Sequence, residues 1–180
     1  MESRYRLLKL LVLKWICYTL LLLLGAALQT TPGFLTIGAA KPVFILPVCV
    51  AVACCEGEFR GSWFAVAGGL LWDWTAGRVP GLLTLGLVVI CFFSGVVVEL
   101  ILRVNNMNVI LLTFVGSTLL LSMDFLFNYV MRRYHAPGQE YLTTVVPIVI
   151  FTAAVSPLCM MLTRIYRKER LFHLFPFLEY

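Results

Sequence analysis

Charged residues are scarce in this chain of 180 residues, where Lys, Arg, Asp and Glu together make up only 13%. Soluble domains carry about 25% of these residues. Hydrophobic residues make up 61% of the chain, so it has too little polar surface to cover a fold that faces water. The composition therefore excludes a soluble domain and predicts one integral membrane domain over residues 1–180.

Residue patterns for catalysis and metal binding are also lacking. The six cysteines lie in apolar runs and form no CxxC pair, which argues against a zinc site or a disulfide framework. The only two histidines, His135 and His173, fall on opposite predicted sides of the membrane, so they cannot share a metal site or a catalytic triad. We expect no catalytic residue, no metal, no cofactor and no nucleic-acid partner.

Long apolar runs dominate the rest of the sequence. A hydrocarbon core of about 30 Å needs about 20 apolar residues in a helix, so the runs predict an all-α polytopic membrane protein with six transmembrane helices. Their bounds are about 10–28, 39–55, 61–75, 81–102, 109–131 and 142–165. The second and third are short and could instead form a re-entrant hairpin. A basic and aromatic tail over 166–180 favours the inner membrane surface.

The distribution of Lys and Arg predicts the orientation. With the N-terminus inside, ten of these residues fall on the inner side and four on the outer side. Cytoplasmic loops carry the Lys and Arg excess, so both termini are predicted to be cytoplasmic. The adjacent pair Arg132 and Arg133 on the outer side opposes this assignment.

Small residues recur along the third apolar run. In water, each interior glycine costs a helix about 1 kcal/mol relative to alanine. In lipid, small residues let helix backbones approach closely. We therefore expect a groove on helix 3 that receives another helix of the same chain or, less readily, a partner protein. Its residues are Gly61, Ala65, Gly68 and Gly69.

Aspartates mark the polar positions within the apolar runs. Asp73 lies between two tryptophans near the predicted outer end of helix 3, where we expect it to accept hydrogen bonds from turn amides around Gly77 and Gly81 rather than to act on a ligand. Ser117, Asp124 and Asn128 share one face of helix 5 and are predicted to be buried polar residues. Two aspartates at similar depth leave open a weaker third hypothesis, an intramembrane aspartyl hydrolase.

Three features between residues 42 and 100 are typical of a known family. They are Pro42 at the start of helix 2, the run Gly68-Gly69-Leu70-Leu71-Trp72-Asp73 preceded by Gly61, and Pro80-Gly81 leading into helix 4. This region resembles the rod shape-determining protein MreD family. The resemblance implies a non-enzymatic scaffold of the cell-elongation machinery in the bacterial inner membrane, which regulates cell shape and lateral peptidoglycan synthesis.

The same resemblance implies partners and a fold. Direct binding to the bitopic protein MreC is expected, with indirect links to MreB and to the glycosyltransferase and transpeptidase of elongation, and with membrane lipid around the bundle. The residues favoured for partner contact are the helix 3 groove and the turn from Asp73 through Pro80 to Gly81. The implied fold is similar to the substrate-binding subunits of energy-coupling-factor transporters. The alternative function is such a vitamin-uptake subunit, with Asp73, Asp124 and Asn128 lining an outward pocket.

Overall fold

The computed structural model describes residues 2–31, 33, 41–77, 81–101, 105–130 and 141–165. All regular elements in these ranges are helical. The α-helices are α1 (Glu2–Thr30), α2 (Ile45–Glu56), α3 (Glu58–Ala76), α4 (Leu82–Leu100), α5 (Asn106–Phe125) and α6 (Val146–Ile165). A π-helical segment, Leu126–Val130, continues α5, and another, Tyr141–Val145, leads into α6. The predicted all-α class and the six helices are confirmed for the described part of the chain.

Helix α2 forms the centre of the bundle. Its residues from Ile45 to Cys54 are all buried, and it packs against α1, α3, α4, α5 and α6. The other five helices form an arc around it, each packing on the next in the order α1, α3, α4, α5, α6. A helix that is apolar on every side belongs in a core, so the arc shields α2 from lipid.

Four of the six helices are long and apolar enough to cross a membrane. The qualifying segments are Leu11–Thr30, Leu82–Leu100, Asn106–Asn128 and Tyr141–Ile165. Helix α2 has 12 residues and is about 18 Å long at 1.5 Å per residue, which is short of the hydrocarbon core. Helix α3 has 19 residues, but Glu58, Arg60 and Asp73 lower its hydropathy. Six helices are therefore confirmed, but among the described residues only four of them have the length and composition of a membrane span.

The predicted start of helix 2 near residue 39 is wrong, because residues 41–44 are not helical. Side chains of α1 and α6 accept hydrogen bonds from the backbone N–H groups at the start of α2. Gln29 Oε1 accepts hydrogen bonds from the N–H groups of Phe44 at 3.2 Å and Ile45 at 3.4 Å, and Thr152 Oγ1 accepts from Val43 N–H at 3.1 Å. The first amides of a helix lack intrahelical partners, so these contacts fix its start at Ile45. Residues 34–40 lie outside the described ranges.

The predicted start of helix 3 at residue 61 is also wrong. Helix α3 begins at Glu58, and only Gly57, with φ +91°, separates it from α2. Glycine adopts positive φ without a steric penalty, so the chain reverses within one residue. Helix α1 begins at Glu2, since the Leu, Arg, Lys and Glu residues in this stretch are strong helix formers. The span predicted over about 10–28 agrees with the apolar segment Leu11–Thr30 of this helix.

The antiparallel helix order gives the bundle two polar ends. One contains Lys14 on α1 with Glu56 at the end of α2, and we name it the Glu56 end. The other contains the end of α3 and the start of α4, joined through Asp73 and Gly81, and we name it the Asp73 end. The predicted orientation assigns the Glu56 end to the cytoplasmic side; this assignment stays a prediction.

Candidate functional site

The small residues of α3 lie against neighbouring helices inside the bundle. A Cβ atom added at Gly61 would collide with the backbone of Ala53 on α2, and one at Gly68 would lie 2.7 Å from Cys49 Sγ. On the other side of α3, a Cβ atom at Gly69 would lie 2.5 Å from Thr84 Cα on α4. Ala65 is completely buried between them. The predicted groove is therefore shared by α2 and α4.

Asp73 joins the end of α3 to the start of α4. Its carboxylate accepts hydrogen bonds from the N–H groups of Gly81 at 3.0 Å, Leu83 at 3.3 Å and Thr84 at 3.2 Å, and from Thr84 Oγ1 at 2.5 Å. The N-terminal amides of a helix need such acceptors, and their dipole favours a negative charge. Asp73 thus holds the α3–α4 corner. Pro80, which was predicted to belong to the same turn, lies outside the described residues.

The polar residues of α5 form a separate group. Ser117 and Asp124 are buried, and Asn128 Nδ2 donates to Asp124 Oδ1 at 2.7 Å. Ser117 Oγ donates to the carbonyl of Phe114 within the same helix. The hydrogen bonds shown for Asp73 therefore lead to α4, while the bond shown for Asp124 stays on α5 and its π-helical extension.

A buried ion pair at the Glu56 end was missed by the sequence reasoning, which counted Lys14 only as an inner-side positive charge. Lys14 Nζ lies 2.5 Å from Glu56 Oε2, and the two side chains are 6% and 5% exposed. Tyr18 Oη donates to Glu56 Oε1 at 3.1 Å. One signal was available: Lys14 and Tyr18 are four residues apart and so share a helical face, which predicts an acidic partner on a neighbouring helix.

A cavity of about 430 Å³ opens beside this ion pair. It lies between the end of α2, the start of α3 and the end of α4, and its lining includes Cys54, Glu56, Glu58, Phe59, Arg60 and Glu99. A Cβ atom at Gly95 would lie 2.6 Å from Glu58 Cα, so α3 and α4 are in backbone contact here. This contact brings the carboxyl groups of Glu58 and Glu99 within hydrogen-bonding reach of each other. The predicted pairing of Glu99 with Arg103 involves a residue outside the described ranges.

A second cavity of about 340 Å³ lies at the Asp73 end. Its described lining includes Gln29, Lys41, Trp72 and Thr75, but not Asp73, Asp124 or Asn128. Within the described ranges, no group of three or more His, Cys, Asp and Glu side chains is placed to hold a metal ion.

The sequence of the chain was compared with known protein families and proteins. A family model described as rod shape-determining protein MreD matches residues 9–169, from α1 to beyond the end of α6. Among curated proteins and among solved structures, no significant match was found. The similarity in fold to energy-coupling-factor subunits therefore stays a prediction.

Proposed function

The chain belongs to the MreD family of rod shape-determining proteins, and on this premise we propose that it is a non-enzymatic scaffold of the bacterial cell-elongation machinery. The observation that carries the proposal is the family match over residues 9–169. As a scaffold in the inner membrane, the protein regulates cell shape and lateral peptidoglycan synthesis. It binds MreC directly and is linked through it to MreB and to the elongation glycosyltransferase and transpeptidase.

The hydrogen bonding of the bundle supports a scaffold role. Asp73 accepts four hydrogen bonds, and Glu56 accepts from Lys14 and Tyr18. A carboxylate has about four lone-pair sites, so the contacts to α4 occupy most of the acceptor capacity of Asp73. Both groups instead fix one helix relative to another, which is what a binding platform requires.

Two measurements in the native host test this function. Depletion of the protein should convert rods into rounded cells, and expression of the wild-type chain should restore the rods. MreC should co-purify with the tagged chain from detergent-solubilised membranes. Rod-shaped cells after complete depletion, together with no recovery of MreC, would contradict the proposal.

The orientation needs its own experiment. With both termini in the cytoplasm, a cysteine introduced at Gly138, which lies outside the described residues, should react with a membrane-impermeant reagent in intact cells. A matched cysteine at Asn105, which precedes α5 at the Glu56 end, should react only after the cells are opened. The reverse labelling pattern would show that the bundle has the opposite orientation, with both termini outside the cytoplasm.

The cavity at the Asp73 end favours a second candidate function, vitamin or small-molecule uptake. Its volume of about 340 Å³ lies within the roughly 300–1,000 Å³ typical of ligand pockets, and Lys41 and Gln29 supply polar groups. A transport subunit would co-purify with a small ligand or an ATPase pair. Recovery of either without MreC would favour uptake over the scaffold.

A further inference from the structure

The cavity of about 340 Å³ at the Asp73 end lies between the end of α1, the segment that leads into α2, and the end of α3. Pro42 and Val43 give it apolar walls. Polar side chains from all three parts of the chain line the same space, namely Gln29, Lys41 and Trp72. The fold therefore brings polar groups that are distant in the sequence to one cavity.

Trp72 is the unusual member of this lining. It is 6% exposed, and its indole N–H donates to no acceptor in the described part of the chain, although a buried tryptophan N–H usually has a partner. Among the described side chains, the polar atom that is both fully enclosed and unpartnered is Thr113 Oγ1. The indole N–H of Trp72 therefore still has access to open space, and the space that Trp72 lines is this cavity.

Lys41 and Gln29 add further donors. Lys41 Nζ donates to the carbonyl oxygen of Thr31 at 2.6 Å, and an ammonium group has three donors, so two remain. Gln29 Oε1 accepts hydrogen bonds from two amides at the start of α2, which leaves the NH₂ group of the same side chain as the part that can bind a ligand. The groups available to the cavity are therefore donors, and one of them carries a positive charge.

No acidic side chain belongs to the described lining of this cavity. Asp73 lies about 100° around the helix from Trp72, and its carboxylate binds the amides at the start of α4. The C-terminal ends of α1 and α3 would disfavour an anion on their own, so anion binding at this place depends on the charge of Lys41. An ammonium group and N–H donors without a competing carboxylate suit an oxyanion.

We propose that the cavity at the Asp73 end binds a phosphate monoester group, of a small molecule or of a lipid headgroup, through Lys41, Gln29 and Trp72. A phosphate monoester has three strong acceptor oxygens, and three donor groups approach the cavity from three parts of the chain. Lys41 contributes most, because charge-assisted hydrogen bonds are about twice as strong as neutral ones. The inference goes beyond the scaffold function and holds whether or not the chain takes part in uptake.

Thermal unfolding of the purified full-length chain in a neutral detergent tests the site. The probes are inorganic phosphate and, separately, dioleoylphosphatidic acid in mixed micelles, with dioleoylglycerol as the matched lipid that lacks the phosphate. A ligand that binds only the folded state raises the midpoint of unfolding. A saturable rise with inorganic phosphate supports the site and indicates a soluble ligand, and a rise with phosphatidic acid alone supports it and indicates a headgroup. No rise with either probe, or an equal rise with dioleoylglycerol, would overturn the inference.

Substitutions in the cavity test its residues, each variant being compared with its own ligand-free midpoint. Lys41→Gln should weaken the apparent affinity for the active probe by roughly tenfold or more, and Trp72→Phe, which keeps a ring but removes the N–H, by roughly threefold to tenfold. Arg60→Gln is the matched control, because it removes one positive charge at the Glu56 end and should leave the affinity unchanged. Phosphate also stabilises folded proteins through exclusion from their surface. An equal rise of the midpoint in the wild type and in Lys41→Gln would therefore refute the site.

The indole N–H of Trp72 provides a direct readout by NMR. The chain has four tryptophans, and the spectrum of Trp72→Phe identifies the signal of Trp72 as the one that is missing. Titration with the active probe should shift this signal, because the N–H gains an acceptor, while the indole signals of Trp15 and Trp63 stay in place. A Trp72 signal that does not move at saturation would contradict the proposed contact.

The two proposals fail in distinguishable ways. Retention of MreC tests the scaffold function, whereas the titrations with phosphate probes use the purified chain alone. A chain that retains MreC but binds neither probe would keep the scaffold function and lose the phosphate site, and the opposite result would do the reverse.

Discussion

The two polar ends of the bundle satisfy their carboxylates in different ways. At the Asp73 end, Asp73 binds amides that lie 8 to 11 residues further along the chain. At the Glu56 end, Glu56 binds an ammonium group that lies 42 residues earlier. The first contact closes one corner of the chain, whereas the second joins helices formed by separate apolar runs. The contacts of Asp73 can thus be explained from residues close to it in the sequence. The contacts of Glu56 can be explained only from the tertiary structure.

The ends also differ in how completely their charges are paired. Asp73 is surrounded by donors, while the Glu56 end combines a closed ion pair with Glu58 and Glu99, whose carboxyl groups lie within hydrogen-bonding reach of each other. Each end therefore stabilises the bundle through a different kind of contact, and variants at the two ends should differ in the size of their effect.

The largest effect is expected at the buried ion pair. Lys14→Met leaves the carboxylate of Glu56 buried without its cation, and breaking a buried pair in this way costs about 3–5 kcal/mol. We expect the free energy of unfolding in detergent to fall by that amount. Lys14→Met combined with Glu56→Gln removes both charges and should recover most of it. A single variant as stable as the wild type would show that the pair is not closed.

A smaller effect is expected where the glycines meet their neighbours. Gly61→Leu on the α2 side and Gly69→Leu on the α4 side should each lower stability by about 1–3 kcal/mol or more, because overpacking forces the backbones apart. Ala67→Leu is the matched control, since Ala67 lies on the same helix but is exposed. Thermal unfolding of the three variants in one detergent measures the difference. Equal stability of all three would argue against close packing of α3.

The helix cap at Asp73 should contribute less. Asp73→Ala removes the acceptor of the first amides of α4, and loss of an N-cap costs about 0.5–2 kcal/mol. The yield of folded protein should fall. The yield for Asp73→Asn, which keeps one carbonyl oxygen as an acceptor, should lie between those of the wild type and of Asp73→Ala. Retention of MreC per folded molecule should stay unchanged in both variants if the Asp73 end is structural. A folded Asp73→Ala protein that loses MreC would show that the Asp73 end contributes to partner binding.

The smallest effect is expected at Gln29, the second residue that caps a helix at the Asp73 end. Its hydrogen bonds to α2 are 3.2 and 3.4 Å long, and a neutral hydrogen bond contributes about 0.5–1.5 kcal/mol. Gln29→Ala should lower the midpoint of thermal unfolding slightly, by less than Asp73→Ala does. A loss of stability as large as that from Lys14→Met would contradict the expectation that the buried ion pair contributes more than the hydrogen bonds of Gln29.

The sequence allowed the helices and the packing positions to be predicted where the cause is local. Apolar length indicated six helices, and the four-residue spacing of Gly61, Ala65 and Gly69 placed them on the side of α3 that packs against α2 and α4. The start of α2 could not be predicted in the same way, because Gln29 and Thr152 fix it from distant helices. The partner of Lys14 could not be predicted either, because Glu56 reaches it only through the packing of α2 on α1.

The separation of 42 residues between Lys14 and Glu56 also has a consequence for biosynthesis. At about 5–20 residues per second, the ribosome needs on the order of seconds to reach Glu56 after it has made Lys14. During that interval α1 must keep its ammonium group hydrated, which a long lysine side chain near the membrane surface can do by reaching toward water. Emergence of the hairpin of α2 and α3 then withdraws the charge from water. We therefore expect the ammonium group of Lys14 to be withdrawn from water only after α2, which carries Glu56, has been synthesised.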